Sequence, residues 1–354
     1  MITYNLSPDT YISPEEPQPS SGVYQTPEVK HKFRKAPPGF YKEALTFLIN
    51  IRGNIRQKMK TLKSKTVEYK VLDARQKAVK VITNAAYGYA GWVGARWYIK
   101  PVAEAAAAWG RYTILAASQM AEKAGIQVVY GDTDSLFLNH DESKVLKIKE
   151  KIKRELKLDV EISEVYKRIF FTEAKKRYAG LLKDGSLDIV GLEVIRGDWA
   201  EVAKKVQEHI LEIILKDSSP NKAIDFVRTI IGDLKNRKIP FRDLIIWKNL
   251  TKSPDDYAIK APHVEAAKIL KEKGWRLTGG DKVGYIILTG KGRLYSRVKP
   301  YIFAKYEEVD IDYYIINQVL PVALRILAFF NITETELLKK ETKKEEIKNL
   351  MDYV

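Results

Sequence analysis

The chain has 354 residues, 45% of them hydrophobic, and carries 61 Lys and Arg against 45 Asp and Glu, a formal charge of +16. That length allows two or three domains, the apolar share supports packed cores rather than disorder, and the positive surplus favours a polyanionic partner, nucleic acid before anionic membrane. The absence of Cys excludes disulfides and thiolate metal sites, and four His leave little for a His-rich zinc site.

Residues 7–38 carry Pro8, Pro14, Pro17, Pro19, Pro27, Pro37 and Pro38 with Ser20-Ser21-Gly22, which forbids a long helix there. From Phe40 the pattern becomes helical. Leu48, Ile51, Ile55, Met59 and Leu62 recur at helical spacing, while Arg52, Arg56, Lys60 and Lys63 form a cationic stripe on another face. A second helix is predicted from about Asp73 to Tyr87, with Val71, Val79, Ile82 and Ala86 as its apolar side and Lys77, Lys80, Asn84 and Tyr87 as its polar side. Joined by a short link, the two make an antiparallel hairpin with both polar stripes available to one cleft. A third, Ala-rich helix is predicted over Pro101–Lys123.

Val128-Val-Tyr-Gly-Asp-Thr-Asp-Ser-Leu-Phe137 follows, an apolar strand, a polar turn with two carboxylates, and a second apolar strand. Residues two apart in extended chain project to one side, so Asp132 and Asp134 can converge on a point. Hard oxygen ligands on a sheet suit Mg²⁺, which takes one or two protein carboxylates and leaves other positions to phosphate and water. An ordinary Asp-rich hairpin turn fits these ten residues equally well. Residues 144–157 read as a charged amphipathic surface helix, and strands are predicted near Ile169–Phe171, Tyr178–Leu182 and Leu187–Leu192. Beyond Arg196 the chain turns helical. Asp198 is expected to cap a helix with Val202, Val206, Ile210 and Ile213 on its apolar face, and Ser219-Pro220 to open another with Ala223, Val227, Ile230 and Leu234. Short helices, a Gly-rich stretch over Gly279–Gly292 and a charged terminal helix complete the reading. No signal peptide and no apolar run of transmembrane length is expected, which points to a cytoplasmic, nucleoid-associated location without membrane contact. Dense Lys, Glu and Ile without Cys fit a thermophile.

Phosphoryl transfer asks a protein for carboxylates to hold metal and cations to neutralise a triphosphate. Arg52 and Arg56 stand one helical turn apart, a spacing suited to adjacent phosphates, and Lys80 adds a third charge. Tyr87 offers a flat surface for a base, and Gly88 allows close backbone approach. A solvated helix face explains any one of these singly; five at compatible spacing, leading into an Asp-x-Asp hairpin, favour the phosphoryl-transfer reading.

These motifs resemble family B DNA polymerases of the archaeal branch. Arg75-Gln-Lys-Ala-Val-Lys80-Val-Ile-Thr-Asn84-Ala-Ala-Tyr87-Gly88 is similar to the fingers motif, Tyr130-Gly-Asp132-Thr-Asp134-Ser135 to the catalytic motif C, and Lys175-Lys176-Arg177-Tyr178 to the primer-template minor-groove motif. Tyr4-Asn-Leu-Ser-Pro-Asp-Thr10, Arg96-Trp-Tyr98, Gly191-Leu-Glu193, Asp198-Trp199 and Asn317-Gln-Val-Leu-Pro321 extend the resemblance over nearly the whole chain. It implies an α+β right-hand fold, with a partial palm on an antiparallel sheet, two-helix fingers and a mostly helical thumb. The implied domains are 1–39 partial palm, 40–91 fingers, 92–195 palm with the Asp-x-Asp hairpin, and 196–354 thumb. It further implies DNA-templated DNA synthesis from dNTP with two Mg²⁺. Asp134 would ligate metal directly and Asp132 more loosely. Arg52, Arg56 and Lys80 would grip triphosphate, with Lys80 also catalytic. Asn84 and Tyr87 would line the pocket for the nascent base pair. Lys175, Lys176, Arg177, Tyr178 and Arg196 would contact primer-template DNA.

The chain departs from the family pattern in four places. The family's first catalytic motif, whose Asp bridges the metals, normally precedes the Tyr-Asn-Leu-Ser-Pro segment, and here the chain starts at Met1-Ile-Thr-Tyr4. The expectation is therefore an upstream polymerase chain supplying that motif and the exonuclease domain, or a truncated or mis-started gene, with the chain inactive alone. Ala85 stands where Ser commonly follows the motif Asn, and Gly197 interrupts the usual Arg-Arg-Asp-Trp. The tail Glu345–Val354 lacks a clear sliding-clamp box, which argues against clamp tethering through it. An inactive primer-template and nucleotide-binding fragment is the alternative. A reverse-transcriptase-like enzyme is a more distant third, disfavoured by the spaced Asp-Thr-Asp.

Overall fold

The computed structural model describes residues 1–17 and 19–339. The sequence reading of the carboxy-terminal tail therefore lies outside the described residues. The chain forms two compact units, Met1–Ser163 and Glu164–Val354.

In the first unit, the Pro-rich segment makes no helix. It holds three short strands, β1 (Tyr11–Ile12), β2 (Val23–Gln25) and β3 (Lys32–Arg34), in the antiparallel order β1-β3-β2. Helices α1 (Phe40–Met59) and α2 (Val67–Gly91) then form the expected hairpin. Leu48, Ile51, Ile55, Met59 and Leu62 of the first stripe are all half-buried. The second helix starts earlier than expected, because the Thr66 side chain accepts a hydrogen bond from the Tyr69 amide and caps it. Its apolar side also needs correction. Val71 and Ile82 are exposed, and the packed seam runs through Leu72, Gln76, Val79, Thr83, Ala86 and Ala90. Polar Gln76 and Thr83 on that seam conceal it from a reading by hydrophobicity.

The start of α1 is fastened from a distance. Its N-cap is Gly39, which has no side chain to offer. The Gly39 amide donates instead to Asn5 Oδ1 (2.8 Å), the Phe40 amide to the Asp9 carboxylate (3.1 Å to Oδ2), and the Tyr41 amide to Ser7 Oγ (3.1 Å). A Cβ on residue 39 would lie 2.6 Å from the Ser7 Cβ, so only glycine fits. Tyr4, Leu6, Phe33, Tyr41, Leu45, Ala90, Val102 and Ala105 form the core beneath.

Helix α3 (Lys100–Lys123) leads through Gly125 into the hairpin β4 (Val128–Asp132) and β5 (Ser135–Leu138). Helix α4 (Glu142–Leu156) is the expected charged helix, capped by Asp141 and burying Ile148, Ile152 and Leu156 against Ala117, Ala121 and Ile126.

The second unit opens with the antiparallel sheet β6 (Tyr166–Phe171), β7 (Tyr178–Leu182) and β8 (Leu187–Val190), in that order. Helix α5 (Glu201–Glu212) buries Val202, Val206 and Ile210 as expected. Asp198 does not cap it: Ala200 holds the N-cap position, its amide donating to Gln318 Oε1 (2.9 Å), and Asp198 pairs with Arg196 instead. Helix α6 (Pro220–Lys235) starts at Ser219-Pro220 as expected, with the Ser219 hydroxyl accepting from the Lys222 amide. A sheet unforeseen in the sequence follows, β9 (Ile246–Asn249), β10 (Lys282–Ile287) and β11 (Val298–Pro300), with β10 central and α7 (Pro262–Glu272) beside it. Short helices α8 (Ile311–Tyr314), α9 (Leu320–Leu327) and α10 (Glu334–Leu338) end the described chain.

Contrary to expectation, one segment, Ile311–Phe330, is long and apolar enough to cross a membrane by length and composition. Its apolar side is the reason: Tyr314, Ile315, Val319, Leu320, Val322 and Ile326 are buried in the second unit's core, which needs the same residues a bilayer would.

Candidate functional site

The Asp-x-Asp motif folds as a tight hairpin. Asp132 ends β4 opposite Ser135, the first residue of β5, so Thr133 and Asp134 make the turn. Extended-chain alternation thus stops at Asp132, and Asp134 reaches its position through the turn. The Thr133 amide and hydroxyl both donate to Asp132 Oδ1, at 2.8 and 3.1 Å, which fixes that carboxylate. Asp132 is half-buried and Asp134 exposed. Two hard oxygen donors on a braced turn fit a Mg²⁺ ion that draws its remaining ligands from phosphate and water. Among the described residues no group of three or more His, Asp or Glu side chains has metal-holding geometry. Among the described residues the hairpin's sheet has two strands.

The cationic stripe lies where the spacing places it. On α1, Arg52 is half-buried while Arg56, Lys60 and Lys63 are exposed; on α2, Lys77, Lys80, Asn84 and Tyr87 are exposed. Arg52 is braced across the helix pair, its Nε donating to Gln76 Oε1 at 3.2 Å. Gln76 Nε2 in turn donates to Asp73 Oδ1 (2.9 Å), and Lys77 Nζ meets Asp73 Oδ2 at 2.6 Å. Hydrogen bonds from Lys77 and then Gln76 hold the Asp73 carboxyl below its ordinary range. Lys80 stands one turn beyond Gln76 on the same helix.

In the second unit, Lys175 and Lys176 are exposed at the tip joining β6 to β7, and Arg177 and Tyr178 are half-buried. Lys176 has a left-handed backbone, φ 62°. Arg177 turns inward, with Nη1 3.5 Å from Oε1 of Glu193. Arg196 pairs with Asp198 at 3.2 Å, and although burial raises the Asp198 pKa, that pairing leaves its carboxyl below the ordinary value.

The model of DNA polymerase family B matches residues 1–330. The chain belongs to the family B DNA polymerases. Among its relatives, DNA polymerase 2 of Aeropyrum pernix is 48% identical over 95% of this chain, and the DNA polymerase of Archaeoglobus fulgidus is 42% identical over the same share. The solved family B DNA polymerase of the hyperthermophilic archaeon Pyrobaculum calidifontis matches 92% of the chain with a TM-score of 0.67 and 46% identity. This polymerase chain spans 42% and 45% of the length of those two relatives and 43% of the solved structure's chain. The mixed helix-and-sheet architecture is the α+β polymerase fold that the motifs imply.

Three features of this polymerase chain escaped the sequence reading: the Asp73–Gln76 brace on Arg52, the Asn5–Ser7–Asp9 fastening of α1, and the burial of Glu193. Only the first had a local signal, since Asp73, Gln76 and Lys77 stand at helical i, i+3 and i+4 spacing.

Proposed function

We propose that the chain is the carboxy-terminal part of a DNA-templated DNA polymerase that transfers nucleotides from dNTP to a primer 3′-OH. The observation that carries this reading is the Asp132–Asp134 hairpin occurring in one unit with a helical hairpin that presents Arg56, Lys80, Asn84 and Tyr87 to solvent. The domain assignment is 1–39 partial palm, 40–91 fingers, 92–195 palm and 196–354 thumb. Asp134, with Asp132 more loosely, would hold Mg²⁺, two ions being expected, and the metal would supply positive charge against the reacting phosphates. Arg52, Arg56 and Lys80 bind the triphosphate, with Lys80 also catalytic, the Gln76 brace fixing how Arg52 leaves its helix. Asn84 and Tyr87 contact the nascent base pair. Lys175, Lys176, Tyr178 and Arg196 bind the duplex of primer and template, and Arg177 belongs to the same turn. The expected location is the cytoplasm, at the nucleoid.

The chain acts with an upstream polymerase polypeptide that supplies a further metal-bridging carboxylate. Two observations support this. The hairpin contributes two carboxylates with no third acidic group at metal-holding geometry among the described residues, and β4–β5 is a two-stranded sheet, which is marginal in isolation. The same observations favour the second reading, a fragment that binds primer-template and nucleotide but does not extend. Primer extension by the 354-residue chain, with and without an added upstream half of a relative, decides between them. Extension only after addition supports the split enzyme, extension by the chain alone rules out the need for a partner, and none in either mixture favours the binding fragment.

A further inference from the structure

The carboxylate of Glu193 is nearly sealed from solvent, its side chain 2% exposed, yet it takes no part in the roles assigned above. Its Oε1 lies 3.5 Å from Arg177 Nη1 and 3.0 Å from Arg325 Nε, and its Oε2 accepts from Gln207 Nε2 at 2.7 Å. Gln207 is committed at both amide atoms, its Oε1 accepting from the Val194 amide (3.0 Å) and its Nε2 also donating to the Val322 carbonyl (3.4 Å). One buried charge thereby joins α5 and α9 to Arg177, the last residue of the β6–β7 tip.

The tip itself is held in an unusual shape. Lys176 has φ 62°, costly for a residue with a Cβ unless its surroundings enforce it. Gly191 makes room for it: a Cβ there would run into the Lys176 carbonyl oxygen. The Thr172 amide and hydroxyl both donate to the Arg177 carbonyl at 3.1 Å. Beside this turn lies a cleft of about 330 Å³ lined by Thr172, Glu173, Ala174, Leu324, Arg325 and Phe329. The ion pair to Glu193 is a side-chain anchor of the tip, beside the Thr172 hydroxyl.

We propose that Glu193 is a positioning residue for DNA binding and that Arg177 acts through it, as an inward tether, rather than by touching phosphate. The pair sets the backbone from which Lys175 and Lys176 reach the duplex. This rests on the reading of Lys175–Tyr178 as the duplex-contacting turn.

The test uses the 354-residue chain and a fluorescent primer-template duplex, comparing wild type, Glu193→Gln, Lys176→Ala and the double variant by anisotropy. Hydrogen exchange on the DNA-free proteins is read over residues 172–178. Glu193→Gln should speed exchange across the tip and weaken duplex binding about three- to tenfold, while adding little in the Lys176→Ala background, because coupled residues lose one shared interaction. Should Glu193→Gln fail to fold, Arg177→Gln replaces it, leaving the buried carboxylate paired with Arg325 and Gln207. Unchanged exchange, or losses that multiply in the double variant, overturns the positioning role. Faster exchange in a protein whose wild type binds no duplex overturns the DNA-contact reading and the proposal with it.

Discussion

Asp134 sits in the turn and Asp132 at the strand end, so their chemistry separates by substitution. With the upstream half present, Asp134→Ala should lower primer extension by about 10²–10³-fold, the usual scale for deleting an electrostatic group at a reacting phosphate. Extension near the wild-type rate would remove the metal role. Arg52→Ala and Lys80→Ala should weaken nucleotide use by about 1.5–3 kcal/mol each and leave duplex affinity nearly intact. Gln76→Ala should follow Arg52→Ala in kind with a smaller effect, since Gln76 only steers the guanidinium at 3.2 Å. Loss of DNA binding in proportion to charge removed would instead mark the stripe as a general basic patch. A further residue reports on pH. His263 is buried, and burial, then nearby Lys248, pushes its pKa below 6.5. The folded form therefore resists protonation more than the unfolded chain does. Stability is full above about pH 6.5 and is lost as pH falls through the depressed folded-state value. Between pH 7 and pH 5, His263→Gln should lose fewer degrees of thermal midpoint than wild type; equal losses would place the acid sensitivity elsewhere.

At the scale of elements, the fastening of α1 offers the sharpest test. Asn5 is fully buried, accepts the Gly39 amide, and donates to the Arg34 and Pro37 carbonyls at 2.8 and 2.9 Å. Asn5→Ala leaves several of these groups without partners, at about 1–3 kcal/mol for each unsatisfied group, and the thermal midpoint should fall accordingly. A midpoint within error of wild type would show that water replaces the side chain. Long periodic elements were the legible part of the sequence: α1, α3, α4 and α6 begin or run where apolar spacing and caps put them. The strands β1, β2, β3, β9 and β11 hold two to four residues each, too few for a period, and their pairing is decided by distant chain. The seam of α2 was misread because Gln76 and Thr83 face inward to make hydrogen bonds, not apolar contacts. Within the site, the Asp-x-Asp turn and the cationic stripe were legible because their residues are neighbours in sequence. Glu193 was not: its partners stand 16, 14 and 132 positions away, at Arg177, Gln207 and Arg325.

For the molecule as a whole, the charge of +16 would set the form of the proposed DNA binding. Affinity for primer-template should be nearly independent of sequence and fall steeply with salt. About five phosphate contacts would give a slope of roughly −4.5 in log K against log salt. Titrations of two unrelated duplexes at several salt concentrations measure this, and a flat salt response would contradict a phosphate-dominated interface. The carboxylate pair contributes little to this term, so Asp134→Ala should bind duplex at least as well as wild type while failing to extend it.

The Asn5–Ser7–Asp9 loop precedes the helix it fastens by about thirty residues. On the ribosome, the three acceptors leave the exit tunnel before the amides of residues 39–41 do. The costly first turn of α1 can then form against a docking surface already outside, and each later turn adds cheaply to it. Moving residues 1–10 to the far end of the chain by circular permutation would reverse that order. The helical hairpin carrying Arg52 and Lys80 would then be made before its anchor, and its slow assembly would appear in the yield of folded protein from synthesis rather than in the final structure.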